Sequence, residues 1–289
     1  MAVWGSSFAI IRGLLGNAAA SPLLLVAVRM AIASALLAGF MAASQAGRAQ
    51  LRCIRGGLLR DGMFAGGLLG LGFLLQTEGL QRTTASRSGF LTGTLVVLTP
   101  LIEFVVFRKR PALPALAGVL LAFLGMMFLS APWSDASQAT MLGDGLTIAC
   151  AAVFAGQIVA LGRFAPRYPV LALVLVQLAT TGALAGIAGP FVEEQHFSGA
   201  PRLWLALFYL ALFATLLAFG IQTWAQKILP PVRVALISAL EPVFAALWAA
   251  LLIGERLTGH ELAGGALIVL GVAVGEAGAV LRSRARAPG

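Results

Sequence analysis

Ten apolar runs follow one another along the chain, each closed by a short connection richer in charge, Gly or Pro. They cover residues 2–17, 22–43, 60–81, 85–107, 112–131, 143–162, 169–191, 203–226, 231–253 and 259–281. About 20 apolar residues in a helix cross the ~30 Å hydrocarbon layer of a bilayer. A chain in lipid must pair its backbone groups with itself, so the pattern predicts ten membrane-spanning helices, spans one to ten. Span one is the shortest and carries Arg12, so a further stretch of about ten residues is expected ahead of it. A signal peptide is not expected, because the opening residues have neither its basic segment nor its cleavage pattern.

The connections alternate in charge. Arg48, Arg52, Arg55 and Arg60 crowd the one after span two, and Arg108, Lys109 and Arg110 the one after span four. Arg163 and Arg167 follow span six, Lys227 and Arg233 surround the connection after span eight, and Arg282, Arg284 and Arg286 fill the tail, 282–289. The opposite set holds Arg82, Arg87, Asp135, Asp144, Glu193, Glu194, Arg202, Glu255, Arg256 and Glu261. The positive-inside rule places the first set and both termini in the cytoplasm, with Arg82 and Arg87 dissenting. Glu103 is expected to reach Arg108, and Glu276 to reach Arg282, by snorkelling to the membrane surface.

A shift of 146 positions aligns the two halves without gaps over a long stretch. Phe73, Gln76 and Thr77 then fall on Phe219, Gln222 and Thr223, Arg110 on Arg256, Gly118 on Gly264 and Gly125 on Gly271. The halves are 1–131 and 143–281, with five spans each. An odd number of spans means that the second half enters the membrane inverted. Inverted repeats around a midplane site are a signature of secondary transporters. Pro242 falls on Val96, whereas the first half has its proline one turn later at Pro100. The kinks of the two halves are therefore expected at unequal positions.

Composition agrees with the span pattern. The chain is 60% hydrophobic and 11% charged, with a mean hydropathy of +0.94. The net charge of +9 is then a topology signal and not a nucleic-acid footprint. Arginine far outnumbers lysine, which hints at a GC-rich bacterial genome and so at a bacterial inner membrane. Cys53 lies in a basic connection and Cys150 in an apolar run, which supports neither a disulfide nor a metal site. An intramembrane enzyme would need paired carboxylates, a metal cluster or a nucleophile with its base. Asp61, Asp135 and Asp144 lie at span ends, His196 and His260 lie outside, and nucleotide motifs are lacking. No enzyme activity and no cofactor are expected.

Polar residues recur at helical spacing on otherwise apolar spans. Span four carries Ser88, Thr92, Thr99 and Glu103, and span six Thr147, Cys150, Phe154 and Gln157. Span eight carries Thr215, Phe219, Gln222 and Gln226, and span nine Ser238, Glu241, Ala245 and Trp248. Such lines suit the wall of a cavity for a partly polar solute. They equally suit hydrogen bonds between helices. Glu241 lies about ten residues from either end of its span, hence ~15 Å deep, and is followed by Pro242. A carboxylate there is costly and marks function. Three roles stand open: a fixed ion pair with Arg29, a proton-coupling group, or a substrate contact. Gln76 and Gln222, at opposite mouths, are expected to close one mouth each. The ridges Gly62, Gly66, Gly70 and Gly271, Gly275 allow close helix contact within the chain or in a homodimer.

The chain resembles the drug/metabolite transporter superfamily, EamA type. The resemblance rests on Trp4-Gly5-Ser6-Ser7-Phe8, Ser21-Pro22 with Arg29, and Thr94 through Thr99-Pro100. The second half adds Leu240-Glu241-Pro242, Gly254-Glu255-Arg256 and Leu262-Ala263-Gly264 through Gly271. It implies an all-α polytopic membrane protein of ten helices, two inverted five-helix repeats around a central cavity. Spans three, four, eight and nine, helped by one and six, would line that cavity. On this chain the lining is then Trp4, Ser7, Phe73, Gln76, Thr92, Thr99, Phe154, Gln157, Phe219, Gln222, Glu241 and Trp248. Glu241 and Arg29 are the coupling or ion-pair groups, and Pro100 and Pro242 the kinks. The implied partners are a small-molecule substrate and the lipid bilayer. The implied activity is alternating-access transport of small metabolites such as amino acids, export and proton coupling included. The rival within the superfamily is a lipid-linked sugar flippase or a nucleotide-sugar or organophosphate carrier.

Overall fold

Lipid offers a backbone N–H or C=O no water, so each apolar run closes its hydrogen bonds as a helix. The computed structural model of the protein describes residues 1–6, 10, 19–83, 85–130, 140–253 and 257–286. Nine helical stretches among them are long and apolar enough to cross a membrane, and they match spans two to ten. Span one is described only at residues 1–6 and 10. No strand occurs among the described residues, only one isolated bridge between Ala20 and Phe197. This is an all-α, multi-pass membrane fold.

The chain forms two compact units, and each draws on both halves of the sequence. One comprises Met1–Gly5, Glu78–Val159 and Leu229–Gly289, and the other Ser6–Thr77 and Ala160–Ile228.

In the first unit, span five (Leu113–Ser130) packs along span ten (Gly259–Arg286). Small residues let these helices meet backbone to backbone. A Cβ on Gly118 would lie 2.5 Å from the Gly271 carbonyl oxygen, and one on Gly264 would lie 2.6 Å from the Gly125 carbonyl oxygen. Gly118 thus meets Gly271 while Gly125 meets Gly264, so the two helices run antiparallel. The 146-residue shift exchanges these two contacts. Beside them Val96, Val119, Ala122, Met126, Val232, Leu236, Ala239 and Ile268 form one buried cluster.

In the second unit, span two (Pro22–Ala43) packs antiparallel to span seven (Val170–Val192). Gly182 and Gly189 of span seven lie against Met30 and Leu23. Gly62, Gly66 and Gly70 of span three (Gly56–Leu80) lie against Val176, Gln177 and Leu184 of span seven. The Thr181 hydroxyl donates to the Gly66 carbonyl at 3.0 Å. Both glycine ridges are thus occupied inside the chain. Span two begins without a capping side chain of its own, and a distant one replaces it. Glu193 Oε1 accepts from the N–H groups of Leu23 at 2.8 Å and Leu24 at 3.1 Å, where a carboxylate also suits the positive end of the helix dipole. Tyr168 donates to buried Asp61 at 2.9 Å. That bond holds the Tyr168 phenol above its usual pKa.

Charge pairing adds partners that the sequence reading did not name. Arg82 pairs with Glu78, and Arg87 with Asp144 at 2.7 Å, so the two arginines that dissent from the positive-inside pattern are locally neutralised. Glu276 pairs with Arg233, which a neighbouring helix brings within reach of span ten; the Arg282 side chain lies outside the described residues. Glu103 makes no ion pair with Arg108. Arg108 instead ends the helix in a left-handed conformation, φ 56°.

The glycine crossing of spans five and ten predicts a position-specific cost. Gly118→Val and Gly271→Val should each destabilise the detergent-solubilised protein by about 1–3 kcal/mol through overpacking. Gly39→Val, where a Cβ meets nothing within 4 Å, should change the thermal midpoint far less. Thermal unfolding of the three variants is the check.

Candidate functional site

Proline removes one helix donor and crowds the carbonyl four residues back. In span nine that carbonyl belongs to Ser238, and the helix Pro231–Ser238 ends there. A new helix, Glu241–Ile253, starts three residues later. Glu241 therefore stands at the first position of a helix, in the middle of the membrane-spanning stretch Pro231–Leu251. A helix N-terminus carries unpaired N–H groups and a positive dipole end, both favourable to a carboxylate. Glu241 is half-buried.

Span four is broken too. Helix Ala85–Gly93 ends and helix Leu95–Phe107 begins around Thr94. Pro100 lies inside the second of these without interrupting it. The expectation of unequal kinks therefore fails. Under the 146-residue shift, Ala239 and Leu240 fall on Gly93 and Thr94, so the breaks coincide although the prolines do not. Leu95 and Val96, just past one break, pack on Val234, Ala235 and Leu236, just before the other.

The stripe predicted on span nine has a partner in the N-terminal turn of the same unit. A Cβ on Gly5 would lie 2.7 Å from the Ala245 nitrogen, so this position admits only glycine without a shift. The Trp248 indole N–H donates to the Ala2 carbonyl at 3.0 Å. Ala2 and Gly5 thus pack on Ala245 and Trp248 of the predicted stripe. Ser7 and Arg12 lie outside the described residues.

The other stripes are also buried. On span six (Met141–Phe164), Cys150 sits against Thr92 of span four, Gln157 is buried and Phe154 half-buried. The Thr99 hydroxyl is turned back onto its own helix, donating to the Leu95 carbonyl at 2.7 Å. Arg87 of span four grips Asp144 of span six, which also accepts from Thr83 at 2.9 Å. Arg87 falls on Arg233 under the repeat shift, and Arg233 holds Glu276 at 2.8 Å. Each broken span thus carries near its start an arginine clamped to a carboxylate. The shift relates the two arginines but not their partners, since Glu276 falls on Ser130.

The second unit holds the remaining predicted residues. The Arg29 guanidinium lies over the Phe73 ring, 5.1 Å from its centroid. Gln76 is half-buried one turn beyond Phe73. Span eight passes from helix Pro201–Tyr209 through a π-helical stretch, Leu210–Leu217, into helix Ala218–Ala225. π turns inside membrane helices frequently mark functional sites, and nothing in the apolar run of these residues signals this one. It holds Thr215, and Phe219 and Gln222 follow it, all buried. The Thr215 hydroxyl and Gln222 Oε1 have no hydrogen-bond partner among the described residues. The Tyr209 and Ser6 hydroxyls meet at 2.8 Å.

Comparison with known proteins places this geometry. The profile of the EamA-like transporter family matches residues 1–131 and 141–274. An uncharacterized transporter of Archaeoglobus fulgidus is 31% identical over 94% of this chain and 82% of its own length. A probable amino-acid metabolite efflux pump of Salmonella typhimurium is 30% identical over 99% of this chain and 95% of its own. A solved crystal structure at 22% identity superposes with a TM-score of 0.81, covering 94% of this chain and 93% of that one, and shares the fold. The chain belongs to the EamA-like transporter family.

Proposed function

We propose that the protein is a secondary transporter that moves small organic metabolites, amino acids first among them, outward across a bacterial inner membrane by alternating access. Its two five-span repeats are inverted, and both termini are cytoplasmic. The observation that carries this reading is the break in span nine directly before Glu241-Pro242, matched by a break at the equivalent place in span four. Irregular backbone at membrane depth is tolerated where protein or a wet cavity surrounds it. Discontinuous helices of this kind form the ion and substrate sites of inverted-repeat carriers. The antiparallel pairing of the repeat-equivalent spans five and ten supports the inversion. The printed name of the Salmonella relative supports both the substrate class and the outward direction.

Glu241 is the proton-coupling group in this reading. It binds a proton in one state of the cycle and releases it in another, while the helix end at its backbone tempers its charge. The clamps Arg87–Asp144 and Arg233–Glu276 fix the starts of the two broken spans, so movement concentrates at the breaks. Gln76 and Gln222 close opposite mouths.

Two outcomes test this. Glu241→Gln in proteoliposomes should keep substrate exchange and lose transport driven by an imposed pH gradient. Undiminished gradient-driven transport would remove the coupling role. Pro242→Ala restores a donor for the Ser238 carbonyl and should rejoin the helix. Its thermal midpoint should equal or exceed that of the parent while turnover falls by about tenfold, as for a hinge variant.

A further inference from the structure

Arg29 is a buried cation with no ion pair among the described residues of its unit. Its residue exposure is 7%, and it lies seven residues, ~10 Å, into span two. Its Nε is buried without a hydrogen-bond acceptor among the described residues. The acids of its unit are engaged or remote. Asp61 is held by Arg60 and Tyr168, Glu193 caps the start of span two, and Glu194 is exposed in a connection. An unaccompanied charge away from water is expensive unless an opposite charge joins it.

The guanidinium carbon lies over the Phe73 ring, 5.1 Å from its centroid, a cation–π contact. Guanidinium N–H donors form a planar fork that matches a carboxylate through two parallel hydrogen bonds. A second polar group in the same unit is also unsatisfied: span two packs on the π-helical stretch of span eight, whose Thr215 hydroxyl lacks a partner among the described residues.

The geometry points to Arg29, set over the Phe73 ring, as the subsite for the carboxylate of the transported molecule. The substrates are then amino or other organic acids, and cationic or neutral drugs lack the group that is recognised. The inference rests on the transporter reading above and names the chemistry of its ligand.

The test pairs binding with transport on the purified full chain. The probes are a panel of L-amino acids and, separately, the amides of the same amino acids, which replace the carboxylate and keep the side chain and amine. Binding is read as thermal stabilisation in detergent, and transport as counterflow in proteoliposomes. The parent protein should bind at least one acid at least about tenfold more tightly than its amide, since losing a charge-assisted pair costs 1.4 kcal/mol or more. Arg29→Gln should bind acid and amide alike, and Arg29→Lys should keep part of the preference. Equal binding of acids and amides by the parent, or an unchanged preference in Arg29→Gln, would overturn the assignment. So would recovery of Arg29→Gln by adding Glu241→Gln, which would mark a fixed ion pair instead. Should Arg29→Gln not fold, the parent comparison and Arg29→Lys decide. Acid-selective binding without counterflow would keep the subsite and remove the transport reading. Counterflow of amides as fast as acids would do the reverse.

Discussion

Gly118 against Gly271, and Gly125 against Gly264, form the contact on which much else depends. No side chain separates the helices there, so their backbones set the spacing and register. Spans five and ten are equivalent in sequence and antiparallel in space. That pairing is the ground for the inverted repeat proposed above. The same 146-residue shift carries the break at Thr94 onto the break at Leu240, and Arg87 onto Arg233.

Charge in the apolar body is handled in two ways. At span ends it is neutralised in pairs: Arg82 with Glu78, Arg87 with Asp144, Arg233 with Glu276. At depth, Arg29 has an aromatic ring and Glu241 a helix end, with no ion pair among the described residues. Paired charges hold geometry. In the function proposed above, the two deep groups instead serve something that enters and leaves.

Much of this was legible in the sequence because lipid imposes simple rules. Apolar run length gave spans two to ten, and helical spacing marked the polar lines on spans four, six and eight whose residues are mostly buried. The break in span nine was marked by Pro242, but that in span four was not marked by Pro100, which fits inside its helix while the interruption falls at Thr94. Pairings across helices were misjudged where reach along one helix looked sufficient: Glu276 finds Arg233 on a packed neighbour. The π-helical stretch of span eight has no local signature, since its geometry answers to packing and not to propensity. Trp4-Gly5 showed as a motif, but that Gly5 is needed because span nine approaches its Cα emerged only in three dimensions.

Alternating access at the span-nine break is tested most directly by labelling. Ser238→Cys, one turn before Glu241, is placed in a background with Cys53 and Cys150 replaced, and a membrane-impermeant maleimide is applied from each side in turn. Reaction from both sides, with substrate shifting the balance between them, is the predicted result. Reaction from one side only, unaffected by substrate, would contradict it.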